Sequence, residues 1–239
     1  MMLMHDYYKY QLEPQAIQIY DALVANISKL ASSGVIDIPI CNHGEILRHA
    51  SAAYRALRMD RPEYYFLGHS IQIRYCTSGV LTIQHDLKFS TNHIICMNNI
   101  LKNIISKLTE GIKGLPQVEK EKRIYQRVGR MFTYKEGAYS HDLSGLIVFK
   151  DGVCESIAGI LVVAFREVGI PAIVVQGYAH NEGHRWCKVW INNFEYFVDV
   201  TWDMINCKRG LRLKYFNLSY EQMEKDHHMI ENIVYLKRL

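Results

Sequence analysis

The chain has 239 residues, 49% of them hydrophobic and 22% charged, with a formal net charge of +4. This is the composition of a folded chain long enough for one large domain or two small ones, and its scattered Lys and Arg residues argue against a nucleic-acid-binding patch. The longest apolar run, Ile157 to Phe165, falls well short of the ~20 residues a bilayer span needs. The six cysteines, Cys41, Cys76, Cys96, Cys154, Cys187 and Cys207, never adopt CxxC spacing, so neither a disulfide framework nor a cysteine metal site is required.

The opening MMLMHDYYKYQ has no basic segment ahead of an apolar one, so it does not read as a signal peptide. With no disulfide pattern either, a cytoplasmic protein with mostly reduced thiols is expected, with secretion as the alternative. Pro14 to Leu30 carries Ile17, Ile19, Tyr20, Leu23, Val24, Ile27 and Leu30 at helical spacing, and Glu45 to Arg58 reads as a second helix. Pro62 breaks the chain, and Ser70 to Lys88 then alternates around Ser78-Gly79 as a β-hairpin does. Helices are predicted over Asn92 to Leu108 and Val118 to Phe132, joined by the loop Gly111 to Pro116. Mixed charges between Glu119 and Arg127 mark a solvated helix face. A boundary is expected near residue 90, dividing an α+β region at 1–90 from a second domain at 91–239.

Residues Glu155 to Val168 are apolar nearly all round, which predicts a buried helix. Gly152 marks its start, Gly169 suits the position just past its end, and Pro171 prevents continuation. Cys154 therefore falls in the first turn. There the backbone N–H groups lack helical partners, and the positive end of the helix dipole favours a charged sulfur. The same N–H groups can hold an oxyanion. A small packing cysteine would also fit the position, so a partner has to decide.

Ala172 to Gln176 reads as a strand and His180 to Gly183 as a loop. In HRWCKVWINNFEYFVDVTWD, His184 to Asp203, two alternating runs flank Asn192-Asn193, the signature of a tight type I′ hairpin. Counting outward pairs Ile191 with Phe194, Cys187 with Val198, Trp186 with Asp199 and His184 with Thr201. His184, Trp186, Lys188 and Trp190 then share a face with Glu195, Phe197, Asp199 and Thr201. His184 and Asp199 become diagonal neighbours, within reach of a His–carboxylate hydrogen bond. Asp203 lies beyond the pairing. A thiolate, a general acid/base and a group to orient it are what nucleophilic catalysis by sulfur needs.

GVCESIA, GIPAIVVQG, GHRW and YFVDVTWD occur in order and resemble the core of the transglutaminase-like superfamily, particularly its compact bacterial members. The resemblance covers roughly residues 120 to 205, and the helix Ile124 to Tyr134 is similar to the segment that precedes the cysteine helix. It implies an α+β, papain-like core in which the nucleophile helix packs on an antiparallel sheet, at 91–239, behind an α+β N-terminal region. It also implies Cys154 as nucleophile, His184 as general base and acid, and Asp199 as orienter. The implied reaction is attack on an amide, peptide or ester carbonyl of a protein or peptide substrate. A thioester acyl-enzyme forms, and transfer to an amine acceptor (transamidation) or to water (peptidase or amidase hydrolysis) follows. No metal or organic cofactor is implied, and neither nucleic acid nor membrane is a partner. The chain departs from the family pattern at Ser156, where glycine is common, and at Cys187, where Asn follows HAW. Its tryptophans are Trp186, Trp190 and Trp202, so none precedes Cys154, and a second oxyanion donor is expected from a Tyr, Gln or His of the first half.

Two rival readings remain at this level. His180, Glu182 and His184, with His227-His228 further on, could bind a metal, although their spacing is poor for zinc. A non-catalytic interaction module could also retain the fold; the intact Cys/His/Asp set argues against it. YSHDLS at 139–144 reads as a polar loop or a wall of the substrate cleft. The segment 208–239, with Tyr215, Phe216, Leu218, Ile230, Ile233, Val234 and Leu236, is expected to pack on the core.

Overall fold

The computed structural model describes residues 4–30, 33–39, 45–75, 80–205 and 211–235. Cys41, Cys76, Cys207, Leu236 and the Ser78-Gly79 turn lie outside them. The chain forms two compact units, Met1–Cys96 with Asn232–Leu239, and Met97–Glu231.

In the first unit, helices α1 (Pro14–Ile27) and α2 (Ile46–Asp60) pack on each other and against a three-stranded antiparallel sheet. The strands are β1 (Ser33–Pro39), β2 (Leu67–Tyr75) and β3 (Val80–Leu87), in the order β1-β3-β2. The hairpin is thus joined by a third strand that the sequence reading did not resolve. Ile19, Tyr20, Leu23 and Ile27 of α1 and Ala50, Ala53 and Leu57 of α2 are buried, so the apolar stripes form this core. Buried Asp60 accepts the backbone N–H groups of Tyr8 (2.9 Å) and Lys9 (3.0 Å). The C-terminal residues join this unit through the Tyr235 hydroxyl, which accepts the Glu13 N–H, and the Ile233 carbonyl, which accepts from Arg55.

Helix α3 (Thr91–Thr109) leads on to α4 (Gln117–Met131). The chain is already extended at Phe132, so α4 stops short of Tyr134. Thr133–Tyr134 instead form a short strand, β4, parallel to β5 (Asp151–Gly152). Between them lies α5 (Leu143–Val148), capped by the Asp142 carboxylate on the Ser144 N–H, so only part of YSHDLS is loop.

Helix α6 (Cys154–Glu167) begins at the cysteine itself, and Ile157, Ile160, Leu161, Ala164 and Phe165 are fully buried. It packs against β6 (Ala172–Ala179) and β7 (Glu182–Ile191), with α4 and α5 also on it. The four-stranded sheet has the order β8-β7-β6-β9 and is antiparallel throughout, with β8 spanning Phe194–Val198 and β9 spanning His227–Met229. A nucleophile-type helix on an antiparallel sheet is the α+β arrangement expected. The β7–β8 register pairs Ile191 with Phe194 and Cys187 with Val198, as counted from Asn192-Asn193, whose φ values are +51° and +69°.

Three details differ from the sequence reading. Strand β6 runs on to Ala179, and His180-Asn181 (φ +49° and +69°) make a second two-residue turn rather than a longer loop. Strand pairing with β7 ends at Val198, because the chain turns there into α7 (Val200–Ile205); Trp186–Asp199 and His184–Thr201 are not strand partners. Last, beyond α8 (Tyr220–Met223), β9 adds an edge to β6. A Cβ on Gly177 would stand 2.1 Å from the His228 carbonyl oxygen, so the glycine lets β9 close on the sheet.

Candidate active site

Cys154 occupies the first position of α6 and is partly exposed. Gly152 sets the approach: a Cβ there would lie 2.2 Å from Ser156 Oγ and 2.7 Å from Leu146 Cδ2. The Ser156 hydroxyl turns back to the Val153 carbonyl (3.1 Å) and so helps shape the helix start.

His184 lies on β7 and is nearly buried. Its Nε2 is 2.6 Å from Asp199 Oδ2, and Cys154 lies close enough to act on the same imidazole. The structure therefore brings Cys154, His184 and Asp199 together. One residue further along each element, Glu155 and Arg185 form an ion pair that ties the start of α6 to β7 at the same level. Arg185 Nε in turn donates to Gln176 Oε1 (3.1 Å).

Asp199 is held on every side. Its Oδ1 accepts the N–H of Thr201 (2.9 Å), the N–H of Trp202 (3.3 Å) and the Thr201 hydroxyl, so it also caps the start of α7. Its own N–H donates to the Tyr215 carbonyl (2.8 Å), and its carbonyl meets the Tyr125 hydroxyl (2.9 Å). Asp203 accepts from Tyr125 (2.6 Å) and from the Lys214 and Tyr215 N–H groups, which makes it a scaffold residue.

A second histidine meets the same carboxylate. His227 Nε2 is 3.1 Å from Asp199 Oδ2, and its Nδ1 is 2.6 Å from Asp226 Oδ1. Trp202 and Trp186 enclose it, with ring centroids 4.4 and 5.1 Å away. Burial opposes charge on His184, but the hydrogen bonds and charges of Asp199 and Cys154 outweigh it and raise its pKa to about 9. Burial alone would push the Asp199 carboxyl up. Hydrogen bonds from His184, His227 and Thr201, with the charge of His184, instead hold it well below the usual carboxylate range.

The sequence reading did not single out Tyr134, which follows α4 and so lies past the first half of the chain. Its phenol lies close enough to Cys154 for the charge and the backbone of that residue to act on it. Cys187 sends its thiol to the Ala158 carbonyl (3.3 Å), and complete burial pushes its pKa well up, so it is a packing residue. His141 is exposed and pairs with Glu136 (3.0 Å) and Glu155 (3.7 Å). Of the histidines weighed for a metal, His184 and His227 cluster with Asp199, their ligand atoms within 4.8 Å of one another. Hydrogen bonds within the cluster already engage these atoms, while His180 stacks on Trp202 instead. Among the described residues, no helix is long and apolar enough to cross a membrane.

Residues 104–201 match the Transglutaminase-like superfamily, so the sequence resemblance holds over the segment that carries Cys154, His184 and Asp199. Among solved structures the chain is similar to one described as a TGase, at 17% identity and a TM-score of 0.43, over 77% of this chain and 55% of that one. It is also similar to a Cytophaga hutchinsonii protein labelled, provisionally, a cysteine protease, at 16% identity and a TM-score of 0.38, over 61% of this chain and 64% of that one. The chain thus spans less than two thirds of each of these structures. No curated protein matches it.

Proposed function

We propose that the transglutaminase-like segment of this chain is a cysteine-dependent acyl-transfer enzyme acting through a thioester on an amide or peptide substrate. The observation that carries this reading is His184 held by Asp199 at 2.6 Å beside Cys154, the first residue of α6. In this reaction His184 holds the proton released by Cys154, and the thiolate attacks the substrate carbonyl carbon. The C=O electron pair moves onto oxygen and then returns as the C–N bond breaks. His184 gives its proton to the departing amine, which leaves the acyl group on Cys154. An incoming amine or water, deprotonated by His184, attacks the thioester by the same path and regenerates the thiol. Asp199 keeps the imidazole in one orientation and stabilises its charged form. No step calls on a metal or an organic cofactor.

The test is intact-protein mass spectrometry after mixing with an activated ester. Wild type gains one acyl group on Cys154, which an added amine discharges; Cys154→Ala gains none. An acyl group found elsewhere, or equally in the variant, contradicts the reading. Comparing discharge with and without the amine separates transamidation from hydrolysis.

A further inference from the structure

Strand β4 pairs with β5, which leads into α6. Its register sets Tyr134 beside Gly152, two residues ahead of Cys154. The Thr133 N–H donates to the Lys150 carbonyl (2.9 Å) and the Lys135 N–H to the Gly152 carbonyl (2.9 Å), so backbone bonds fix Tyr134 from both sides. That register brings the phenol near Cys154, whose backbone N–H is the donor that a carbonyl attacked by Cys154 Sγ would face. Tyr134 is 38% exposed, so this spot can be reached from solvent.

Resting on the acyl-transfer reading above, we propose that Tyr134 is a catalytic residue, its phenol O–H being the second oxyanion donor beside the Cys154 backbone N–H. When Sγ bonds to the carbonyl carbon, the C=O electron pair moves onto oxygen. That oxygen accepts the Cys154 N–H and the Tyr134 O–H. When the intermediate collapses, the pair re-forms C=O, the leaving group departs, and the phenol keeps its proton throughout. Burial first, and then the nearby charges of Cys154, Asp199 and Glu136, raise the phenol pKa above 10, which keeps it a donor across the working range. This answers the missing upstream tryptophan with a residue from the strand that precedes the nucleophile.

The test compares two reactions of one thiol in wild type, Tyr134→Phe and Cys154→Ala. Acylation by p-nitrophenyl acetate builds an oxyanion, whereas alkylation by iodoacetamide needs the thiolate but no oxyanion. Tyr134→Phe is expected to slow Cys154 acylation by about 100-fold, the lower end of the range for loss of one oxyanion donor, and to leave its alkylation rate unchanged. Acylation that is unchanged or faster in Tyr134→Phe overturns the proposal. Parallel losses in both reactions overturn it too, since they would mean the ring only holds the segment in place. If wild type is alkylated at Cys154 but never acylated there, the acyl-transfer reading itself fails and this proposal falls with it.

Discussion

Replacing Asp199 with Asn tests the triad with almost no change in volume. Asp199 Oδ1 must still accept the Thr201 and Trp202 N–H groups, so the new amide nitrogen takes the Oδ2 side, facing His184 and His227. A donor at that point requires His184 Nε2 to accept, which places the neutral ring's proton on Nδ1. The wild-type His184 pKa of about 9 lies some 2.5 units above the unperturbed 6.5, worth roughly 3 kcal/mol at 1.36 kcal/mol per unit. Asp199 supplies the stronger of the two hydrogen bonds and the stronger of the two charges that raise it. Removing Asp199 should therefore lower the His184 titration by more than half of that span, about 1.5 to 2.5 units. Because the folded pKa is the higher one, the stability it contributes is complete below pH ~6.5 and is lost between there and about 9. The stability gap between wild type and Asp199→Asn should accordingly be widest near pH 6 and narrow towards pH 9. Histidine NMR titration reads the first effect, and urea unfolding at several pH values reads the second. A His184 resonance still titrating near pH 9 in Asp199→Asn would refute the reasoning.

Three other changes probe the support. Glu121 is buried, neither of its oxygens has a hydrogen-bond partner, and burial pushes its pKa up to about 8. Its ionisation favours the unfolded chain above pH ~4.5, so Glu121→Met should stabilise by about 3 kcal/mol more at pH 7 than at pH 4 in thermal unfolding; an equal shift at both would contradict this. His227→Phe removes one donor from buried Asp199 and should cost about 1–3 kcal/mol. A depressed carboxyl stabilises above pH ~3.8 and loses that effect as pH falls, so the acid-unfolding midpoint should also rise in this variant; superimposable acid titrations would count against it. Gly152→Ala drives a methyl into Ser156 Oγ and Leu146, which should cost about 1–3 kcal/mol, partly recovered in a double variant with Ser156→Ala. A Gly152→Ala melting curve matching wild type would show that the helix start yields freely.

What the sequence made legible was local. Asn192-Asn193 set the β7–β8 register, since two residues at positive φ allow only one tight turn, and the apolar run with Gly169 and Pro171 bounded the cysteine helix. The proximity of His184 to Asp199 was readable from that register, although Asp199 reaches it from the cap of α7 rather than from a strand pair. An Asp two residues ahead of Thr and three ahead of Trp is itself a helix-capping signal, and it was overlooked in favour of continued alternation. The parts that stayed hidden depend on distant pairing. His227 reaches Asp199 across 28 residues through a three-residue strand, and Tyr134 reaches Cys154 through a two-residue one. Strands that short carry no periodicity to detect.

The central claim is that Cys154 begins α6 because it is a nucleophile activated by His184. Thiol alkylation as a function of pH, with peptide mapping, in wild type and His184→Ala tests it most directly. The account predicts that Cys154 reacts faster than Cys96 and Cys187, continues to react well below pH 8, and loses that advantage in His184→Ala. A Cys154 no more reactive than the exposed Cys96, or one indifferent to loss of His184, would make the helix start a packing position and contradict the account.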